Sequence, residues 1–242
     1  METGTVNIGM NEHDHKLLQL LTSDDLAQRA LGGQLCAGLQ GKYGFAVKQA
    51  LQRLGVWFCL EYNVEPSFLQ KTQHLFLAPN LCKLNTLPKG IQWLVNLNGL
   101  DLNKHLLEQL PKEIKFLQNL RKLYLRNNQL SDLPSEIGCL HKLYKLDLSW
   151  NKLVKLPPNI GNLVNLQVLK LSGNSLTNIP PSIENLVNLK CLLLDYNQLA
   201  ELPEEVSQLS QLKILNLTKN NITVDDLHKI QCLLPHCRII VG

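Results

Sequence analysis

Asn128, Asn151, Asn174, Asn197 and Asn220 stand one every 23 residues, and His105 takes the same place one period earlier. A carboxamide carries donors and an acceptor on one short side chain. A column of them is either a polar site or a means of satisfying backbone groups where a strand turns, and the regular spacing favours the second reading. His105 is expected to fill the same structural role, since an imidazole can also donate and accept. Other chemistry is sparse. His13, Asp14 and His15 could gather a metal, but they lie in an N-terminal stretch that reads as a solvated polar segment. The chain has no Gly-rich phosphate loop, GxSxG, HExxH or paired CxxC. No catalytic residue, bound metal or cofactor is expected, and no small-molecule substrate.

The elements that carry the column repeat with it. Pro88, Pro111, Pro134, Pro157, Pro180 and Pro203 follow one another at 23 residues, each after Leu or Ile. Within the period, Leu123 and Leu125 alternate with Lys122, Tyr124 and Arg126, the period-two pattern of a half-buried strand. The pairs Leu100/Leu102, Leu146/Leu148, Leu169/Leu171, Leu192/Leu194 and Leu215/Leu217 do the same. Strands so spaced must stack in parallel, since parallel pairing needs a crossover of about this length. On the return, Ile91, Ile114, Ile137, Ile160, Ile183 and Val206 stand three residues after each proline, with Leu at helix-like steps beyond. One such unit cannot enclose its own apolar face, so neighbours stack into a continuous core.

The frame LPxxIxxLxxLxxLxLxxNxL resembles the leucine-rich-repeat family, and in particular the 23-residue class of the intracellular Ras-group proteins and of some bacterial effectors. The resemblance runs from about Gln73 to Gly242. It implies an α/β solenoid: a curved leucine-rich-repeat array with a parallel sheet on the concave face, a loose or helical return on the convex face, and an N-terminal helical cap. It also implies that the asparagine column is a buried ladder. Repeat arrays present long surfaces to partners and seldom enclose a catalytic pocket. The first repeat is irregular, because the leucines after Leu75 and Leu77 come two residues late. The last turns into Ile222–Leu233 and Arg238–Val241, read as a closing helix and strand with no substantial domain after them. The C-terminal ubiquitin-ligase domain of some bacterial relatives is therefore not expected.

Residues 1–70 hold no repeat. Lys16–Leu21 reads as helix, Thr22–Asp25 as a break and N-cap, Leu26–Leu31 as a second helix ended by Gly32 and Gly33. Val47, Ala50, Leu51, Leu54 and Phe58 mark a further helix, and Pro66 the start of a short turn. Trp57, Trp93 and Phe116 are candidates for a seam with the first repeat. The domains are thus placed at 1–70 (helical cap or adaptor), 71–221 (repeats) and 222–242 (closing unit). Leu20–Leu31 is similar to part of an F-box, which docks onto a ubiquitin-ligase scaffold, although its usual opening Leu-Pro-x-Glu is absent.

Bulk properties narrow the setting. No run approaches the roughly 18 apolar residues of a membrane span, and the N-terminus lacks a signal-peptide layout. The seven cysteines are scattered and odd in number, which fits a reducing cytoplasm; Cys232 and Cys237 could bridge, but reduced and mostly buried thiols are expected. The sequons at Asn216 and Asn221 are read as chance. A net charge of +4 without a basic run gives no reason to expect nucleic acid.

A protein partner on the concave face remains. The variable strand positions form columns, and among them Tyr124, Arg126, Trp150 and Tyr196 are of the types enriched at interface hot spots. Lys122, Lys145 and Lys170 surround them, with Asp101, Asp147 and Asp195 interleaved. The expected function is a non-catalytic protein–protein interaction module, as a cytoplasmic signalling scaffold or a bacterial effector acting in a host cytosol. The alternative is a substrate-recruiting ubiquitin-ligase adaptor working through the F-box-like segment.

Overall fold

In the computed structural model, which describes residues 12–77 and 83–241, the chain divides into two units. One comprises the described residues up to Lys71 together with Pro88–Trp93; the other comprises the remainder.

The first unit is helical: α1 (Glu12–Leu21), α2 (Leu26–Gly38), α3 (Phe45–Tyr62) and α4 (Pro66–Leu69). Leu17 and Leu21 of α1, Cys36 of α2, and Val47, Leu51, Cys59 and Leu60 of α3 form its core. Asp25 caps α2 by accepting the Ala27 N–H, at the break that the sequence marks. Gly32 and Gly33 do not end that helix. They lie buried inside it, where a Cβ on Gly33 would come within 2.6 Å of Cγ of Tyr62. Gly33 serves close approach of α2 to α3 and Gly32 close approach to Leu20 and Leu21 of α1, a use that Gly-Gly punctuation conceals. Asp14 is likewise no solvated residue: it is buried, and its Oδ2 accepts the Gly44 N–H at the start of α3 over 2.9 Å. His13 and His15 on either side are exposed. Burial pushes the Cys36 and Cys59 thiols up to about 11 and about 12, which makes them inert core groups. Trp93 donates its indole N–H to Asn63 within this unit, whereas Phe116 stays exposed, with Lys115 over its ring.

The second unit is a curved α/β solenoid. Its eight parallel strands run in sequence order: β1 (His74–Phe76), β2 (Gly99–Asp101), β3 (Lys122–Tyr124), β4 (Lys145–Asp147), β5 (Val168–Lys170), β6 (Cys191–Leu193), β7 (Ile214–Asn216) and β8 (Arg238–Ile240). Each strand is three residues long, and its central Leu or Ile is paired in register with the next. The return is one 3₁₀ turn per repeat: the N–H of Ile114, Ile137, Ile160 and Ile183 reaches back three residues to the preceding proline's carbonyl. Those isoleucines and the strand leucines are almost wholly buried and form one continuous apolar core. α5 (Val224–Leu233), capped by Thr223, precedes β8 at the end of the sheet. The Asn221 sequon thus spends its Thr on a helix cap. Among the described residues six cysteines are free, so Cys232 and Cys237 form no bridge, and Cys232 is exposed rather than buried.

The asparagine column is a ladder. Asn151 accepts the Leu130 N–H on its Oδ1 at 3.1 Å and donates to the carbonyls of Leu125 and Leu148 at 2.9 Å each. Asn128, Asn174, Asn197 and Asn220 repeat the same three bonds. His105 substitutes within hydrogen-bonding reach: Nδ1 lies 3.4 Å from the Leu84 nitrogen and Nε2 lies 3.1 Å from the Leu77 oxygen. An N–H opposite Nδ1 and a carbonyl opposite Nε2 assign the neutral tautomer with hydrogen on Nε2. Asn151→Ala leaves the buried Leu130 N–H without a partner, at about 1–3 kcal/mol, and takes one of two donors from each of the Leu125 and Leu148 carbonyls, which Asn128 and Asn174 still serve. A loss of at least about 2 kcal/mol in urea unfolding is expected; a variant as stable as wild type would refute the structural role.

Candidate strand-face interface

The residues pointing away from the core fall into columns set by strand register. Along the first strand position lie His74, Gly99, Lys122, Lys145, Val168, Cys191 and Ile214; along the third lie Phe76, Asp101, Tyr124, Asp147, Lys170, Leu193 and Asn216. Lys122 and Lys145 are therefore direct neighbours on β3 and β4. Like charges so placed repel. Each finds a tyrosine: Lys145 Nζ lies 5.2 Å from the ring centre of Tyr124, and Lys122 Nζ lies 5.7 Å from that of Tyr144. A hydrogen bond with Tyr144 raises the proton affinity of the exposed Lys122 amine. Lys122, Tyr124 and Tyr144 line an open cleft of about 750 Å³ that runs from β1 to Tyr144 just before β4, with Arg121, His74, Phe76 and Asp101; Lys145 stands beside it over Tyr124.

The acidic candidates are committed within the fold. Asp147 is only 8% exposed; its Oδ1 accepts the Ser149 N–H, and its Oδ2 lies 3.9 Å from Lys170 Nζ. It anchors Lys170 more than it offers itself to a partner. Asp195 accepts from the Ser172 hydroxyl at 2.7 Å. Arg126 is exposed, and its backbone N–H is held by Asn103 Oδ1 at 2.7 Å.

Trp150 and Tyr196 are not on strands. With Lys104, Asn127, Gly173 and Lys219 they occupy the turn residue before each ladder position, all left-handed, with φ between 55° and 67°. From Lys104 to Tyr196 the conformation is enforced across repeats, because each of these five N–H groups bonds to the next repeat's carbonyl, as Trp150 does to Ser172 and Tyr196 to Thr218. Gly173 has a second reason to lack a side chain. A Cβ there would stand 2.6–2.7 Å from Cε3 and Cδ2 of Trp150. The indole lies over the glycine and reaches Tyr196 two repeats away, with ring centres 5.9 Å apart and planes inclined by 36°. The pair stays 45% and 51% exposed. It is a fixed aromatic shelf, and tilted pairs of this kind are worth about 0.5–1.5 kcal/mol beyond their area.

Two groupings thus emerge from the nine candidates: Lys122, Tyr124 and Lys145 around the cleft, and Trp150 with Tyr196 on the shelf. Arg121, Tyr144 and Gly173 complete them and were not among the sequence candidates. Arg121 and Tyr144 belong to the column just before the strand, legible in the same 23-residue frame. Among the described residues no group of three or more His, Cys, Asp or Glu could hold a metal, and no helix is long and apolar enough to cross a membrane.

This architecture coincides with known sequence families. A leucine-rich repeat region matches residues 136–234, and a single leucine-rich repeat matches residues 119–140. Among solved structures, a leucine-rich-repeat protein of Leptospira interrogans is 36% identical, with a TM-score of 0.56, over 71% of this chain and 49% of its own. An internalin from Listeria monocytogenes shares the fold at 24% identity, with a TM-score of 0.63, over 73% of this chain and 49% of its own. The ectodomain of the Arabidopsis thaliana membrane receptor kinase GASSHO1/SCHENGEN3, solved in complex with CASPARIAN STRIP INTEGRITY FACTOR 2, is 36% identical, with a TM-score of 0.59, over 66% of this chain and 20% of its own. This chain spans about half the length of the first two. No curated protein matches it. The chain belongs to the leucine-rich-repeat family. Its fold class is typically a protein-binding module without catalytic activity.

Gly173→Ala tests the shelf. The added methyl forces the indole away from Tyr196, so acrylamide quenching of Trp150 should rise in a Trp57→Phe, Trp93→Phe background. Stability should fall by only about 1 kcal/mol, the cost of a left-handed alanine. Unchanged quenching would mean that the ring does not rest on the glycine.

Proposed function

We propose that the chain is a non-catalytic protein–protein interaction module that binds a protein partner on its concave strand face. Tyr124, Arg126, Trp150 and Tyr196 are the anchors, with Lys122, Lys145 and Lys170 around them. Asp147 and Asp195 hold their neighbours in place. The observation that carries this reading is the Trp150–Gly173–Tyr196 shelf. Two large aromatics stay half exposed on a braced backbone, with no core to fill. Rigid aromatic area next to Arg and Lys is the composition of an interface hot spot. The plant ectodomain, which shares this repeat, was solved in complex with CASPARIAN STRIP INTEGRITY FACTOR 2. The setting is the cytoplasm, as a signalling scaffold or as a bacterial effector delivered to a host.

A second reading has its own support. On α2, Leu26 is 75% exposed, and Leu31 and Leu35 are also open to solvent. These exposed leucines lie in and beside the segment similar to an F-box, and an adaptor would use such apolar side chains to dock a ligase scaffold.

Affinity capture with the full chain separates the two. Combined Tyr124→Ala, Arg126→Ala, Trp150→Ala and Tyr196→Ala, with folding verified by circular dichroism, should weaken the captured partner at least tenfold, since hot-spot residues cost about 2 kcal/mol or more each. A partner retained by this variant but lost with Leu26→Ser and Leu31→Ser would contradict the strand-face reading and support the adaptor.

A further inference from the structure

The cleft across β1–β4 has a chemistry of its own, and the geometry points to a short acidic segment of the partner polypeptide as its occupant. This deepens the strand-face reading and rests on it.

Four cations cluster there: Arg121 and Lys122 line the cleft, Lys145 stands beside it as the register neighbour of Lys122 and over the lining Tyr124, and Lys142 joins Arg121 in the adjoining depression. No carboxylate pairs with any of them among the described residues; the three ion pairs found there are Lys16–Glu12, Lys170–Asp147 and Lys229–Asp226. Of the two acids nearest in register, Asp101 lines the cleft and keeps its charge, one carboxylate against the cluster of cations, while Asp147 is taken up by Lys170. Asp101 accepts the Asn103 N–H, and Asp147 serves Ser149 and Lys170. Lys142 donates to Asn119, a neutral amide that leaves its charge in place.

The charge is also local. The column that holds Lys122 and Lys145 continues as Val168, Cys191 and Ile214, so that column carries no charge over the next three strands. Two lysines side by side cost stability. The fold holds them there, each over a tyrosine face, and a ring quadrupole steadies an ammonium without cancelling its charge. An ordered, unneutralised pair of ammonium groups with a guanidinium beside them is a receptor for carboxylates.

Size selects among anions. Four strands at about 4.8 Å spacing span about 14 Å, the reach of some four extended residues. Carboxylates two residues apart on such a segment lie about 7 Å from each other, within reach of two neighbouring lysines. Tyr124, Tyr144 and Phe76 supply apolar walls for the stems of those side chains, an environment suited to a peptide.

Fluorescence anisotropy of the full chain with a labelled hexaglutamate peptide tests this at two salt concentrations. Binding should weaken at least tenfold in Lys122→Glu with Lys145→Glu, and to a smaller degree in Lys122→Gln with Lys145→Gln. It should change less than twofold in Lys190→Glu with Lys213→Glu, which removes equal charge elsewhere on the same unit. Affinity should fall as salt rises. Equal losses in both charge-reversal pairs would reduce the effect to net charge and overturn the proposal. Tighter, Lys122- and Lys145-dependent binding of a single-stranded oligonucleotide would overturn it in favour of nucleic acid. A partner captured through Trp150 and Tyr196 that binds the Lys122→Glu, Lys145→Glu variant as tightly as wild type would sink the acidic-segment proposal and leave the strand-face function standing.

Discussion

The repeats rest on one hydrogen-bonded device, the carboxamide of the asparagine ladder. Each side chain ties its own strand end to two places in the repeat before it, as Asn151 ties Leu148 to Leu125 and Leu130. Where a strand stops after three residues, its following carbonyls and N–H groups would be buried without partners. The ladder satisfies them at every step, so the chain can leave the sheet sharply and return by a 3₁₀ turn. An apolar residue in this column would break three bonds at once. That explains how even His105, with only two ring nitrogens, keeps hydrogen-bonding groups facing the same two sides.

The outward face follows from that constraint. The residue before each ladder position must be left-handed, and from Lys104 to Tyr196 its N–H is taken by the next repeat. Side chains there are held on an ordered backbone at the sheet's rim. At Trp150, Gly173 and Tyr196 this converts three ordinary turn residues into a shelf. On the strands, register alone sets Lys122 beside Lys145. Position in the repeat thus dictates where each variable residue points, and the identities at those positions carry the function.

The period made the fold legible. A 23-residue frame with Leu at the strand positions and Asn after them admits one stacked arrangement, and the sheet, the return turns and the ladder all follow from it. Where the sequence misled, the cause was a residue with two physical uses. Gly32 and Gly33 read as a helix stop, and they permit contact with Leu21 and Tyr62 respectively. Asp14 reads as a surface carboxylate between two histidines, and it reaches Gly44, 30 residues away. Trp150 and Tyr196 read as strand residues because the strand columns were carried three positions beyond the strand's end. Their pairing was hidden altogether, since nothing in a one-dimensional pattern says that a missing side chain at 173 lets rings 46 residues apart meet. A second set of amides, Asn119, Asn165 and Asn188, also escaped notice; each donates to a carbonyl 24 residues earlier and stitches neighbouring repeats.

The account's central claim is that the partner sits on the strand face. Hydroxyl-radical footprinting with mass spectrometry reads this side chain by side chain, on the full chain alone and saturated with its captured partner. The account predicts that oxidation of Trp150, Tyr196 and Tyr124 slows several-fold on binding, while Leu26, Leu31 and Phe45 oxidise as before. Unchanged oxidation of the three strand-face aromatics, with protection confined to the α2 leucines, would contradict it.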